Sequence, residues 1–303
     1  MRSAAIFLGL IGLGFAGIIL LGYPAWLLVS PLLGDEKFSR IASRVGMLIV
    51  LVGFVFVARH TKVSDRQSLG FDLPAREFTR EVVVAFLLGS LLMLPAIGTM
   101  LLFGLRTLQP GVALGIPDLL VLLSVGVTSG LTIAFIEETF LRGAMQTAIT
   151  RESGAALAIG LTSVLYAAFH FVSGKYRVAP AEIGPGSGLD MLAVVLKGFT
   201  EPARIVDSFL CLTAVGVLLG IVRALTGNIA ACIGLHAGWV MVIYVLRKIT
   251  IPNPDSSAAW LLGDYDGFIG WLVLAWTPVI GWILYRWYGR RKMGTFLFSG
   301  TGK

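Results

Sequence analysis

Residues 118–149 read DLLVLLSVGVTSGLTIAFIEETFLRGAMQTAI, an apolar run that carries two adjacent glutamates and one arginine in its second half. A helix needs about 20 mostly apolar residues to span the hydrocarbon core of a bilayer, so this run is predicted to be a transmembrane helix. An ionisable side chain inside a bilayer costs about 2.5–3.5 kcal/mol on insertion scales. Glu137, Glu138 and Arg142 therefore require a functional explanation.

Apolar runs of this kind recur along the chain of 303 residues, of which 56% are hydrophobic and 14% charged. A soluble domain does not have this balance, so lipid must contact most of the surface. We predict an all-α polytopic membrane protein, a single membrane domain over residues 1–303 in which about eight transmembrane helices pack as a bundle. The predicted spans are 4–31, 44–58, 82–105, 118–149, 155–173, 205–224, 228–247 and 267–288. Residues 190–197 are set apart as an interfacial or partial helix.

The charged residues predict how the chain lies in the membrane. The formal net charge is +7, but nearly all Lys and Arg residues flank the predicted helices, which favours membrane anchoring over nucleic-acid binding. The first apolar run is longer than the roughly 7–15 residues of a signal-peptide core, so it is predicted to remain as a helix. With both termini in the cytoplasm, 14 of the 24 Lys and Arg residues lie inside and 10 outside, as the positive-inside rule favours. The predicted location is the plasma membrane of a prokaryote.

The two carboxylates of the fourth span are predicted to have different roles. Successive residues of an α-helix point about 100° apart, so Glu137 and Glu138 cannot serve the same partner in the same way. Arg142 follows Glu138 by four residues, and an ion pair between these two is expected. Glu137 is left as the freer carboxylate, which suits a general base that acts on water.

Two of the three histidines, His170 and His236, fall inside predicted spans, whereas His60 lies at a helix end. A lone intramembrane histidine is often a structural hydrogen-bonding group, but two of them together with a pair of glutamates favour a site. If residues 151–154 form the turn of an antiparallel hairpin, Glu138 and His170 both lie roughly 20–24 Å from that turn. His236 lies roughly 13 Å from its own preceding turn, so its alignment requires an offset or tilted helix.

These residues form motifs that resemble the CPBP family, the CAAX proteases and bacteriocin-processing enzymes also called the Abi family. That family is marked by Glu-Glu-x-x-x-Arg, Phe-x-x-x-His and His-x-x-x-Asn, each on a separate membrane helix. The first motif is complete in Glu137, Glu138 and Arg142. The second has Tyr166 in place of Phe before His170, and the third keeps His236 but has Val240 in place of Asn. The resemblance places a catalytic core at residues 118–247.

The resemblance implies an intramembrane endopeptidase of the CAAX type, with a peptide or protein substrate. By this resemblance Glu137 would activate the attacking water with support from Glu138 and Arg142, while His170 and His236 would orient the water or stabilise the oxyanion. Members of the family have been described both as metal-dependent and as metal-free glutamate proteases. In the first case Glu137, His170 and His236 would hold a divalent metal such as zinc. The chain lacks His-Glu-x-x-His, the clearest zinc-protease signature, and the metal-free mechanism is preferred.

Two other classes of function stay open at the level of the sequence. Val240 cannot donate or accept a hydrogen bond, which favours a non-catalytic relative that serves as an immunity or scaffold protein unless the Tyr166 hydroxyl takes over. Intramembrane Glu and His residues also mark ion pathways, which favours a transporter or proton relay. A transporter would more readily show internal repeats and paired broken helices, and neither is evident in the sequence. Cys211 and Cys232 lie in apolar runs and are predicted to be packing residues.

Overall fold

The computed structural model describes residues 1–33, 37–112, 115–172, 176 and 178–299, and within these ranges the chain is a helical bundle with one two-stranded sheet. The predicted all-α membrane fold is confirmed. The helices are α1 (Arg2–Leu33), α2 (Phe38–His60), α3 (Arg66–Leu69), α4 (Ala75–Leu102), α5 (Ile116–Glu138), α6 (Gln146–Ser153), α7 (Ala155–His170), α8 (Ser187–Lys197), α9 (Val206–Thr226), α10 (Ala230–Ile249) and α11 (Trp271–Ser299). A π-helical segment, Thr139–Met145, joins α5 to α6, and the strands β1 (Arg106–Leu108) and β2 (Thr250–Pro252) pair antiparallel.

Each of the eight predicted spans coincides with a helix, although the boundaries differ. Among the described residues, six helices are long and apolar enough to cross a membrane: α1, α2, α4, the continuous helix through α5 and α6, α9 and α10. Helix α7 is apolar but has 16 residues, and the continuous helix α11 contains Pro278 and several tryptophans. The predicted end of the fifth span at residue 173 lies outside the described residues.

The second and the partial predicted helices are longer than the sequence indicated. Helix α2 begins at Phe38 instead of residue 44, because Phe38 and Ala42 are buried in a cluster with residues of α1. The partial helix expected at 190–197 begins at Ser187. It crosses α1 so closely that a Cβ on Gly188 would lie 2.6 Å from the carbonyl oxygen of Ile18.

Helix α10 lies at the centre of the bundle, and every residue from Ala230 to Trp239 is buried. Glycines let α4 and α5 approach it at backbone distance, as is common where membrane helices pack through small residues. A Cβ on Gly234 would lie 2.3 Å from the carbonyl oxygen of Val82 in α4. A Cβ on Gly130 of α5 would lie 2.5 Å from the carbonyl oxygen of Ala237. These contacts fix the position of α10 against the helix that carries the two glutamates.

The loop around α3 gives α10 the offset that the sequence analysis required for His236. The Ile229 amide, just before α10, donates to the Gly70 carbonyl at 3.1 Å. On the other side of this loop, a Cβ on Gly143 would lie 2.9 Å from the Leu69 carbonyl oxygen. Helix α10 therefore begins near the level of Gly143, well beyond the turn at Gly154 that joins α6 to α7, and this brings His236 level with Glu138.

Candidate active site

A buried ion pair joins the end of α5 to the π-helical segment. The Arg142 Nη1 and Glu138 Oε1 atoms are 3.2 Å apart, and both side chains are 0% exposed. The second guanidinium nitrogen, Nη2, donates to the carbonyl of Gly216 in α9 at 3.2 Å. The predicted i,i+4 ion pair is confirmed, and it stands in a π-helical segment, a feature that is frequent at functional sites.

His236 binds the same carboxylate oxygen, a contact that the sequence analysis did not anticipate. Its Nδ1 atom is 2.8 Å from Glu138 Oε1. An ionised carboxylate only accepts hydrogen bonds, so Nδ1 carries a proton and donates a hydrogen bond to Glu138. In the neutral ring Nε2 is then the acceptor. No sequence spacing could reveal this contact, because it joins residues 98 positions apart.

The environment of Glu137 differs from that of Glu138, as the sequence analysis expected. Its side chain is 35% exposed, whereas that of Glu138 is fully buried. Within the described part of the chain, its buried Oε2 atom has no hydrogen-bond partner. This atom lies 3.9 Å from His236 Nε2. That distance is too long for a direct hydrogen bond, but it suits a water molecule that donates a hydrogen bond to each atom.

The ring of Tyr166 connects the two histidines and the arginine. It packs edge to face against His170, with centroids 4.6 Å apart, and against His236 at 5.8 Å. The Arg142 guanidinium lies 4.8 Å from the centre of the same ring, within cation–π distance. His170 Nδ1 is 2.9 Å from the carbonyl oxygen of Tyr166, which can only accept, so this ring also carries its proton on Nδ1. Val240, one turn beyond His236 on α10, is partly buried.

A row of hydrogen bonds that joins α9 to the π-helical segment and the start of α6 was also missed by the sequence analysis. Gln146 Nε2 donates to the Gly220 carbonyl at 3.0 Å, one turn from the contact between Arg142 and Gly216. Arg223 in turn donates from Nε to the backbone carbonyl of Arg142 at 3.3 Å. The spacing did carry a signal for Gln146, because it follows Arg142 by four residues and so continues the polar face of that helix.

The arrangement of these donors does not fit the open zinc site that the resemblance allowed. Among the described residues there is no group of three His, Cys, Asp or Glu side chains placed to share an ion. Zinc binds nitrogen and oxygen ligands at about 2.0–2.2 Å in a tetrahedron, so adjacent ligand atoms lie roughly 3.3–3.6 Å apart. Glu137 Oε2 and His236 Nε2 are further apart than this, at 3.9 Å. Both cysteines are buried, and Cys232 Sγ is 3.4 Å from the Leu219 carbonyl oxygen.

The fold and the site define a class, a polytopic membrane protein whose interior holds carboxylates, an arginine and histidines from three helices. Residues 118–242 match the family model described as Rce1-like, type II CAAX prenyl endopeptidase. This segment thus matches the CAAX proteases of the CPBP family, and the resemblance seen in the motifs is confirmed. Neither a curated protein nor a solved structure matches the chain. The match covers less than half of the chain and supports a CAAX-type intramembrane protease, a class of enzyme whose substrates are peptides or proteins.

Proposed function

We propose that this protein hydrolyses peptide bonds with a water molecule that Glu137 activates, and that residues 118–247 form the catalytic core. The observation that carries the proposal is the contrast between two neighbouring carboxylates. Glu138 is fully buried and bound to Arg142 and His236, whereas Glu137 is partly exposed and directs an unpartnered oxygen toward His236. A carboxylate in the second situation is available as a general base.

In the proposed reaction a water molecule donates one hydrogen bond to Glu137 Oε2 and a second to His236 Nε2, two atoms that are 3.9 Å apart. Its lone pair then points toward the scissile carbonyl carbon. Glu137 takes a proton as the oxygen attacks, which forms the tetrahedral intermediate, and it returns that proton to the departing amine nitrogen as the carbon–nitrogen bond breaks. His170 is proposed to orient the water or to stabilise the oxyanion.

The buried pair serves this reaction indirectly. Glu138 accepts the Nδ1 proton of His236 and so keeps Nε2 as the atom that faces Glu137. Arg142 neutralises Glu138 in an environment where an unpaired carboxylate would be costly. Without this pair, His236 could adopt the other tautomer and would no longer orient the water.

The substrate is proposed to be a peptide segment presented at the membrane. The description of the matching family names CAAX prenyl substrates, so prenylated peptides that end in Cys-a-a-X are one set to test. Unmodified peptides form the second set, since nothing in the described site selects for the lipid.

The experiment is cleavage of both peptide sets by the purified protein in detergent, with wild type beside Glu137→Gln. Gln preserves the shape of the side chain but cannot take a proton, so turnover should fall by about 10²–10⁴-fold. The control is Glu182→Gln, at an exposed glutamate in a short turn outside the bundle. Unchanged turnover in Glu137→Gln would remove Glu137 from the reaction. Activity that a chelator abolishes and zinc restores would replace the proposed mechanism with a metal-dependent one.

A second candidate function is a non-catalytic family member, and Val240 is the observation that favours it. An Asn at this position, one turn after His236, would supply a donor and an acceptor that Val lacks. This candidate predicts that the folded wild-type protein cleaves neither peptide set, whereas Val240→Asn gains cleavage. Cleavage by the wild type would reject it.

A further inference from the structure

A tyrosine outside the matched domain contacts the backbone of His170. The Tyr265 hydroxyl donates to the His170 carbonyl oxygen at 2.7 Å. Tyr265 lies in the connection between β2 and α11, beyond the end of the family match at residue 242. Neither the family match nor any motif of the sequence analysis assigns it a part in the site.

The contact occurs where α7 ends. His170 is the last residue of α7, and its carbonyl accepts the hydrogen bond of Tyr265 from another element of the fold. The Tyr265 ring also packs on the ring of the next residue, Phe171, with centroids 4.7 Å apart. Tyr265 thereby holds the end of α7 at two points.

The segment that presents Tyr265 is itself firmly fixed. The Asp266 Oδ1 atom accepts hydrogen bonds from the amides of Phe268 and Ile269, at 2.9 and 2.7 Å. Ser208 of α9 donates to the Ile269 carbonyl at 2.6 Å. The buried Arg106 of β1 donates to the Gly267 carbonyl and to the Thr250 carbonyl, the latter at 2.9 Å. The hydroxyl is therefore held in place by the strands and by α9.

We propose that Tyr265 is a positioning residue for His170, so that the connection between β2 and α11 is part of the protease site. The inference rests on the proposed function, because that function assigns His170 to the water or to the oxyanion. The His170 ring is oriented from one side by the Tyr166 carbonyl, and Tyr265 fixes the backbone from which that ring extends. Loss of the hydroxyl lets the end of α7 shift while the ring contact with Phe171 remains.

The experiment compares Tyr265→Phe with wild type by kinetics and by nuclear magnetic resonance. Small misplacements of a catalytic group cost rate, and we expect kcat to fall about tenfold with KM unchanged. The chain has three histidines, so protein made with isotope-labelled histidine gives three imidazole signals, and His170→Gln identifies that of His170. In Tyr265→Phe the His170 signal should move while that of His60 stays. The matched control is Tyr285→Phe, at a ring that is 58% exposed on α11.

The two readouts separate this inference from the proposed function. An unmoved His170 signal together with wild-type kcat overturns the positioning role, even if the protein is a protease. A fall in kcat with an unmoved His170 signal also overturns it, since the loss then has another origin. If the His170 signal moves but the wild type cleaves no peptide, the contact is supported and the proposed function fails.

Discussion

At the scale of single residues, the site is a chain of contacts that leads from Arg142 to the Oε2 atom of Glu137. Arg142 binds Glu138, Glu138 binds His236, and His236 faces Glu137. The positive charge of Arg142 offsets the negative charge of Glu138, so Glu137 carries the uncompensated charge of this group. The proposed chemistry therefore depends on Glu137, and we expect the stability of the site to depend on the ion pair of Glu138 and Arg142.

Arg142→Leu tests the structural half of this assignment. The change leaves the fully buried Glu138 without its cation, and breaking a buried ion pair typically costs about 3–5 kcal/mol. Thermal unfolding in detergent should show a marked loss of stability. The matched control is Arg204→Leu, because Arg204 also binds a glutamate one turn earlier, Glu201, but with side chains 73% and 48% exposed. That change should cost at most about 1 kcal/mol. Equal effects of the two changes would contradict the buried pair as a stabilising feature.

Tyr166 and Val240 are the two departures from the family motifs, and a double-mutant cycle tests whether they compensate. The Tyr166 ring contacts both histidine rings and Arg142, so Tyr166 is part of the candidate site. If that hydroxyl replaces the missing Asn, Tyr166→Phe should impair cleavage strongly alone and mildly when Val240→Asn is also present. Turnover of the four proteins measures this coupling. Additive effects would show that Tyr166 contributes packing alone.

At the scale of the elements, much of the fold followed from the sequence, but the relative heights of the helices did not. The run 118–149 marked the helix of α5 and α6, and the spacing from Glu138 to Arg142 predicted their ion pair. The level of α10 depends instead on the contact between Ile229 and Gly70, which joins segments far apart in the chain. A local pattern carries no information on such a contact. The bond from His236 to Glu138, which depends on that level, was missed for the same reason.

The close approach of α5 and α10 should be sensitive to a single methyl group. Gly130→Ala places a Cβ 2.5 Å from the Ala237 carbonyl oxygen, so the two helices must separate. Overpacking typically costs about 1–3 kcal/mol, and here it also moves His236 away from the glutamates. We expect lower thermal stability and at least tenfold lower turnover. Gly160→Ala in α7 is the control, because its Cβ would meet nothing within 4 Å, and Ala should stabilise the helix by about 0.5–1 kcal/mol. Unimpaired turnover in Gly130→Ala would show that the helix separation does not control the site.

At the scale of the whole molecule, the structure shows which segments lie at the same end of the bundle. The side of the membrane that each end faces is predicted from the distribution of Lys and Arg residues. The Met1 amino group contacts Glu152 at the end of α6, and Arg151 donates to the Lys62 carbonyl at 2.7 Å, so these segments share one end. The β1–β2 sheet and the segment that holds Tyr265 lie at the other end, where α4, α7 and α10 finish. The bias of 14 basic residues over 10 predicts that the first end faces the cytoplasm.

Cysteine labelling in intact cells can test this orientation without truncating the chain. Both native cysteines are buried, so they should contribute little background. Ser64→Cys lies between α2 and α3 at the end that contains Met1, and Ser257→Cys lies between β2 and α11 at the opposite end. Both serines are exposed, and the two changes are chemically identical. A membrane-impermeant maleimide should label Ser257→Cys in intact cells and Ser64→Cys only after the membrane is opened. The reverse pattern would overturn the cytoplasmic assignment of the termini but keep the bundle, whereas equal labelling of both positions in intact cells would contradict their placement at opposite ends.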